Sequence, residues 1–440
     1  MRSLPLLIVL ALSSALVVPV TSGGGAAGFA DDTTAWNGTD AAVATPMADD
    51  PNVNEPKHAA ITPQQGATDT VAANVSNRTR ILAVPDAAIQ RTEIDRATLS
   101  LGPSTRLAGN ISAVRMETAA VERYVTALDD EDEQSRRIIE SFSTVEQEVI
   151  TLRGRQQAAI EAFNSGEITP REFVIELATI AARADALEDR VTMLDNRAKD
   201  IEGFSLSRAD QITFELRAFG GPVRERAVDA IQGTEPATRF FVTTGPEGYE
   251  LTTIDNGVYV REAFRGAVRS GDASARIAPT TAINITKRGY PAIASSGSMS
   301  ASVSGMTSIV TVSSENRSLT ALVDSGTERV FKEYQRIPVA TFRSGPAARN
   351  VLNGLRITVN RTYPGGPIRI HVVEAETGNP VNLVVTLSQG SAEGIEIGRT
   401  GEDGTLWTLS PRGSYTVTAV GEETATATFI ETNSTEAPAI

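Results

Sequence analysis

Two runs of seven-residue periodicity stand out between Ile138 and Ile201. In the second run Phe173, Ile180, Leu187, Leu194 and Ile201 fall seven apart, and Leu177, Ala184, Val191 and Ala198 form another row offset by four and three. The first run repeats the pattern with Phe142, Val149, Gln156 and Phe163 beside Ile138, Val145, Leu152 and Ala159, Gln156 being the one polar member. Such spacing predicts two helices joined along an apolar, coiled-coil seam. Between them Asn164-Ser165-Gly166 ends one helix. Thr169-Pro170-Arg171-Glu172 starts the next with a cap, a proline at the first position and a capping-box glutamate. A link this short predicts an antiparallel hairpin. Arg190 lies off both rows and is expected outside the seam, exposed. The hairpin reads as a spacer or as a docking surface for a partner helix.

The remaining pattern is mixed. Ile81 to Val84 opens the folded part, and Ile89, Ile94 and Leu99 suggest a short helix broken by Gly102-Pro103. A long helix is expected from about Ser112 through Val121, Val125 and Leu128. It bends rather than stops across the acidic run Asp129 to Glu133. That run lacks the glycine and alternation of an EF-hand loop and reads as a solvated face. After Gly203, helices are expected over Ser207 to Phe219 and from Pro222 to Ile231, closed by Gly233. From Arg239 the period becomes two. Strands are expected at Phe240–Val242, Tyr249–Ile254, Val258–Arg261, Ile283–Ile285, Ser308–Val312, Leu319–Val323 and Arg329–Tyr334, with Asp255-Asn256-Gly257 as a hairpin turn.

Two stretches resemble known modules. The hairpin around Asp324-Ser325-Gly326-Thr327 is weakly similar to small secreted α+β modules of the PepSY type, a likeness that implies no activity. Further on, Thr377-Gly378-Asn379-Pro380-Val381, Asp403-Gly404-Thr405 and Gly413-Ser414-Tyr415-Thr416-Val417 follow the alternating strand Pro367–Val373. This portion resembles the carboxypeptidase-regulatory-like, transthyretin-like β-sandwich. That resemblance implies an accessory module to which no catalytic residue carries over.

The expected architecture is therefore multidomain α+β: a long antiparallel helical hairpin, a small α+β domain and a C-terminal immunoglobulin-like or transthyretin-like sandwich. The boundaries are a signal peptide at 1–30, a polar linker at 31–80 and a helical domain at 81–235. An α+β domain at 236–345, the sandwich at 346–431 and a polar tail at 432–440 follow.

Composition narrows the chemistry. No cysteine is present, which excludes disulfides, thiolate metal sites and cysteine nucleophiles. The only histidines are His58, in the linker, and His371, in a strand. Neither stands beside a Gly-x-Ser-x-Gly elbow or a zinc motif. No cofactor or metal is expected, and no catalytic residue is assigned. The net charge is −14, and only Lys57, Lys199, Lys287 and Lys332 are lysines. An acidic, lysine-poor surface resembles proteins of salt-loving archaea, whose self-repulsion high salt screens. The absence of a basic patch argues against nucleic acid as a partner.

Arg2 followed by the apolar run Leu4 to Val20 and by small residues to Ala30 reads as a secretory signal. A retained membrane anchor is the alternative; after cleavage no membrane span is expected. Eight asparagines lie in Asn-x-Ser/Thr: Asn37, Asn74, Asn77, Asn110, Asn284, Asn316, Asn360 and Asn433. These are candidate glycosylation sites of an exported chain. By its order of parts the chain resembles haloarchaeal secreted and cell-surface proteins. Three readings stay open. The first is a non-enzymatic envelope protein with a structural, adhesive or partner-binding role, its partner a protein or glycan. The second is an extracytoplasmic ligand-binding or regulatory subunit. The third is a carboxylate-dependent hydrolase.

Overall fold

The seven-spaced rows form the centre of a helical layer. The computed structural model describes residues 80–272, 274–342, 347–390, 393–421 and 425–430, all within one compact unit. Helix α1 spans Leu101–Thr126, α2 Glu131–Ser165, α3 Pro170–Lys199, α4 Ala209–Arg217 and α5 Pro222–Gln232. Gly166 ends α2 with a φ of 81°, which a residue with a side chain rarely adopts. Thr169 caps α3 through the full capping box with Glu172. The bonds accepted from the Thr169 backbone N–H and then its hydroxyl hold the Glu172 carboxyl below its usual range. Ion pairs Arg155–Glu176 and Arg183–Glu148 run in opposite residue order along α2 and α3, as an antiparallel hairpin requires. Ile138, Val145, Leu152, Phe173, Ile180, Leu187 and Leu194 are all buried. Each such side chain contributes about 1.5–3 kcal/mol. Helix α3 packs against α1, α4 and α5 as well as α2, so the rows fill the core of a bundle.

Several local expectations are corrected. Arg190 is not exposed: 4% of its surface remains accessible. It donates to the Val114 carbonyl, Thr118 Oγ1 and Glu117 on α1 at 3.1, 3.0 and 2.9 Å. A heptad row describes only the α2 side of α3, and α1 covers the adjoining face. The segment expected as a helix around Ile94 is strand β1, Arg91–Ala97, where pairing with a neighbouring strand outweighs local preference. Helix α1 starts at Leu101, not near Ser112. Gly102-Pro103 sits in its first turn, where a missing N–H costs nothing. At Asp129 to Glu133 the helix stops rather than bends. Asp130 caps α2 by accepting from the Asp132 N–H, and the acids after it favour the positive end of the helix dipole. Ile283-Asn284-Ile285 is not a strand but part of helix α6, Pro279–Gly289, opened by Pro279 and burying Ala282, Ile285 and Thr286 on one face.

The strands after α5 join β1 in one eight-stranded antiparallel sheet. They are β2 Thr238–Gly245, β3 Gly248–Asp255, β4 Val258–Arg265, β5 Ser298–Ser304, β6 Thr307–Ser314, β7 Arg317–Asp324 and β8 Arg329–Pro338. Their order is β1-β2-β3-β4-β8-β7-β6-β5. Asn256 and Gly257 both take positive φ in the tight β3–β4 turn. One face carries Phe240, Val242, Tyr249, Leu251 and Val260 against the helical bundle. The other face carries Val310, Val312, Leu319 and Ala321 against α6, the short helix α7 (Pro291–Ala294) and Leu82.

Buried charges tie these layers together. Toward the bundle, Arg224 of α5 meets Glu262 at 2.7 Å, and Lys332 Nζ lies 3.6 Å from the same carboxylate. On the opposite face Arg261 bridges Glu250 and Glu333 and donates to the Leu82 carbonyl at 2.9 Å. Glu333 accepts in turn from the Leu82 N–H at 2.9 Å and from the Tyr290 hydroxyl. Leu82 is thus gripped at both main-chain groups. Each ion has a partner, which such burial demands.

The expected C-terminal β-sandwich is present. One sheet, in the order β14-β11-β10-β9, holds Thr405–Leu409, Pro367–Glu374, Leu355–Asn360 and Ala347–Leu352; the other, β13-β12-β15-β16, holds Ile395–Arg399, Val384–Ser388, Tyr415–Val420 and Ala425–Ile430. Ile357, Val359, Ile368, Ile370, Val385 and Val417 fill the space between them. Leu409 and Trp407 pack on Phe241 and Tyr259 of the large sheet, and Thr252 Oγ1 donates to the Gly365 carbonyl at 2.8 Å. A side chain at Gly365 would run into the Phe241 ring. Among the described residues no helix is long and apolar enough to cross a membrane.

Candidate functional site

The bundle leaves part of the β6–β8 surface uncovered, and a cleft of about 730 Å³ opens there. Its walls are the middle of α3, the end of α4, the Gly220-Gly221 turn and α5; its floor is Ile309, Ser318, Thr320, Leu322 and Tyr334. The cleft exists because α4 stops at Arg217 and the chain reverses through Gly220 and Gly221 into Pro222. Gly221 is required, since a side chain there would overlap the Glu262 carboxylate.

Strand β8 fixes the turn from below. Lys332 Nζ donates to the Ala218 and Gly220 carbonyls at 2.5 and 2.7 Å, and the Tyr334 hydroxyl donates to the Gly220 carbonyl at 2.7 Å. These bonds satisfy carbonyls that the end of α4 leaves unpaired. Burial pushes the Lys332 ammonium well below its usual range, Arg224 acts in the same direction and Glu262 opposes. Burial, and after it Glu262, pushes the Tyr334 hydroxyl well above its own. Glu262 Oε2 has no hydrogen-bond partner.

Four carboxylates and two arginines face the cleft: Asp185, Glu188, Glu225 and Asp229 with Arg217 and Arg336. Glu188 is paired with Arg217 at 2.7 Å. Asp185 is raised above the usual carboxylate range by burial, then by Asp189 and Glu188. Glu225 is raised by burial, with Arg336 opposing and Glu262, Asp185 and Asp229 adding to the rise. Acid–base hydrolysis uses two carboxyls whose environments push them apart; Asp185 and Glu225 are both raised and do not form such a pair with each other. Among the described residues no group of three or more His, Asp or Glu side chains could hold a metal ion. The volume and mixed lining suit binding of a small molecule or a protruding group.

The residues singled out from sequence lie elsewhere. Asn110, Asn284 and Asn316 are exposed, on α1, on α6 and in the β6–β7 turn, and Asn360 is half-buried at the end of β10. Asn37, Asn74, Asn77 and Asn433, His58, the signal segment and the polar tail lie outside the described residues. His371 is half-buried on β11, with Nδ1 3.2 Å from Thr405 Oγ1, in the sandwich. Asp324 organises its turn, its Oδ1 accepting from the Gly326 and Thr327 N–H groups at 3.1 and 2.9 Å. No motif in the sequence links Asp185, Glu225 and Arg336. The available signal was Gly220-Gly221-Pro222, a forced reversal between two amphipathic helices.

Residues 3–236, just over half of the chain, match the family model described as a domain of unknown function (DUF7096). The chain belongs to that family. Residues 240–343 match a second family of unknown function (DUF7094), and residues 346–428 match the archaeal fibronectin-III type-like domain. The cleft thus takes residues from both of the first two regions. The sandwich expected from Thr377-Gly378 onward carries the fibronectin-III type-like match. No curated protein matches the chain, and no solved structure does.

Proposed function

We propose that the chain is an exported, non-enzymatic binding protein of the archaeal cell envelope, and that the cleft between α3, α5 and the β6–β8 floor is its ligand site. The observation that carries the reading is the cleft itself, roofed by a rigid bundle and held open by the Lys332 and Tyr334 bonds to the Gly220 turn. The fibronectin-III type-like module, with the α2–α3 helical hairpin as spine, supports a role in presenting or docking that site. Export rests on Arg2 and the apolar run Leu4 to Val20, and the exposed sequons Asn110, Asn284 and Asn316 are compatible with it. N-terminal sequencing of exported material decides between a cleaved signal and a retained anchor.

A partner-binding role without a ligand cleft is the second reading, favoured by the sandwich alone. A hydrolase finds less support, because Asp185 and Glu225 share one direction of shift. The deciding experiment is capture from the cell envelope with the native chain and with Ala182→Trp, which fills the cleft from α3. The proposal expects the variant to melt as the native protein does and to lose the captured component. Equal capture by both proteins would move the function away from the cleft.

A further inference from the structure

Residues Gly289 to Ser314, 26 in a row, carry no charged side chain in a chain that is 21% charged. They include α7, β5 and β6, the outer end of the large sheet. Among the described residues, strand β5 has a hydrogen-bonded neighbour on one side only. Its pairing with β6 runs unbroken from Ser298↔Ser313 to Ser304↔Thr307, so its outer edge is a regular row of N–H and C=O groups without a bulge. Edges of this kind are ordinarily blunted by charge, proline or a bulge. The opposite edge obeys that rule, with Arg91, Glu93, Asp95 and Arg96 on β1. On an acidic protein, a charge-free edge is one that water does not need to solvate.

The edge is also self-complementary. Ser298-Met299-Ser300-Ala301-Ser302-Val303-Ser304 alternates serine with apolar residues symmetrically about Ala301. Antiparallel pairing about that residue sets Ser298 against Ser304, Met299 against Val303 and Ser300 against Ser302. Met299 and Ala301 already pack on the core of Val310 and Val312, while Ser298, Ser300 and Ser302 are exposed. The strand period of two then continues across the junction with like faces aligned.

We propose that β5 pairs with β5 of a second copy of this chain, about a two-fold axis through Ala301, joining two eight-stranded sheets into one. A two-fold contact uses the same patch twice, as this symmetric strand allows. Hydrogen bonds and apolar contacts, unlike surface ion pairs, keep their strength in concentrated salt.

The chain has no cysteine, so Ala301→Cys introduces the single thiol. Opposed Cβ atoms in an antiparallel pair lie about 4.5–5.5 Å apart, at the edge of disulfide reach. Mild oxidation of the full-length variant is expected to yield mostly covalent dimer, and Met116→Cys, on the exposed side of α1, none. Light scattering on the native chain should give twice the single-chain mass. The double variants Ser300→Lys with Ser302→Lys, and Ser300→Glu with Ser302→Glu, should each be monomeric with native circular dichroism, and should form a dimer when mixed. A monomeric native chain, cross-linking no greater than at Met116→Cys, a dimer surviving in both double variants, or β5 occupied by a strand of another protein would each overturn the proposal.

Discussion

Replacing Arg190 by alanine tests whether α1 closes the bundle as described. The Arg190 side chain is 5% exposed, and its guanidinium makes two hydrogen bonds inside the α1–α3 contact besides its pair with Glu117. Glu117 is 61% exposed, so that pair contributes about 1 kcal/mol at most. Losing charge-assisted bonds to Val114 and Thr118 costs about 1.5–3 kcal/mol. The buried aliphatic stem adds about 0.8 kcal/mol per methylene. Thr118 Oγ1 still donates to the Val114 carbonyl at 2.8 Å, so neither group is orphaned. With two methylenes lost, the expected total is about 3–6 kcal/mol, comparable with the ~2–5 kcal/mol for Leu187→Ala or Leu194→Ala. Arg190→Met, which keeps the stem, should lose roughly half as much. Urea unfolding at constant salt, with an unchanged slope, gives the values. If Arg190→Ala falls within about 0.5 kcal/mol while Leu187→Ala costs its full share, the arginine lies on the surface and the α1–α3 packing is wrong.

Glu333→Ala removes the carboxylate that holds both Arg261 and Leu82; a loss of about 3–5 kcal/mol is expected, with new proteolytic cleavage near residues 80–90. An unchanged urea midpoint would mean that the pair is not buried. Asp185 and Glu225 have folded-state values raised above the unfolded ones. The stability they contribute is therefore full below about pH 4 and is lost as pH rises through the raised values. Asp185→Asn and Glu225→Gln should accordingly melt higher than the native protein at pH 7, with the gap closing toward pH 4; a gap that widens in acid contradicts the sign. The −14 charge predicts a melting temperature that rises with KCl into the molar range, and a flat or falling response removes the salt-adaptation reading.

What the sequence revealed follows from which forces are local. The α2–α3 turn was legible because Gly166, Thr169, Pro170 and Glu172 act on their own backbone. The strands from Phe240 onward were legible because short runs of β-branched and aromatic residues are bounded by turn residues such as Asp255-Asn256-Gly257. Arg190 was misjudged because a heptad row describes one neighbour, and α3 has four. Ile283-Asn284-Ile285 offered three residues, too few to separate a period of two from 3.6. The buried charges of Arg261-Glu262 and Lys332-Glu333 were not legible, because their partners come from α5, β3 and the Leu82 segment, distant in the sequence. The cleft was invisible for the same reason: it is the space left where α4 ends above strands more than ninety residues away in the chain.

Hydrogen–deuterium exchange on the full-length protein, with and without its own envelope extract, tests the ligand site most directly. Ligand binding in the cleft should slow exchange at residues 181–188, 216–229 and 318–322 together, and Ala182→Trp should abolish that protection. Protection confined to the sandwich, or to α2 and its outer face, or absent altogether, would contradict the assignment of the cleft.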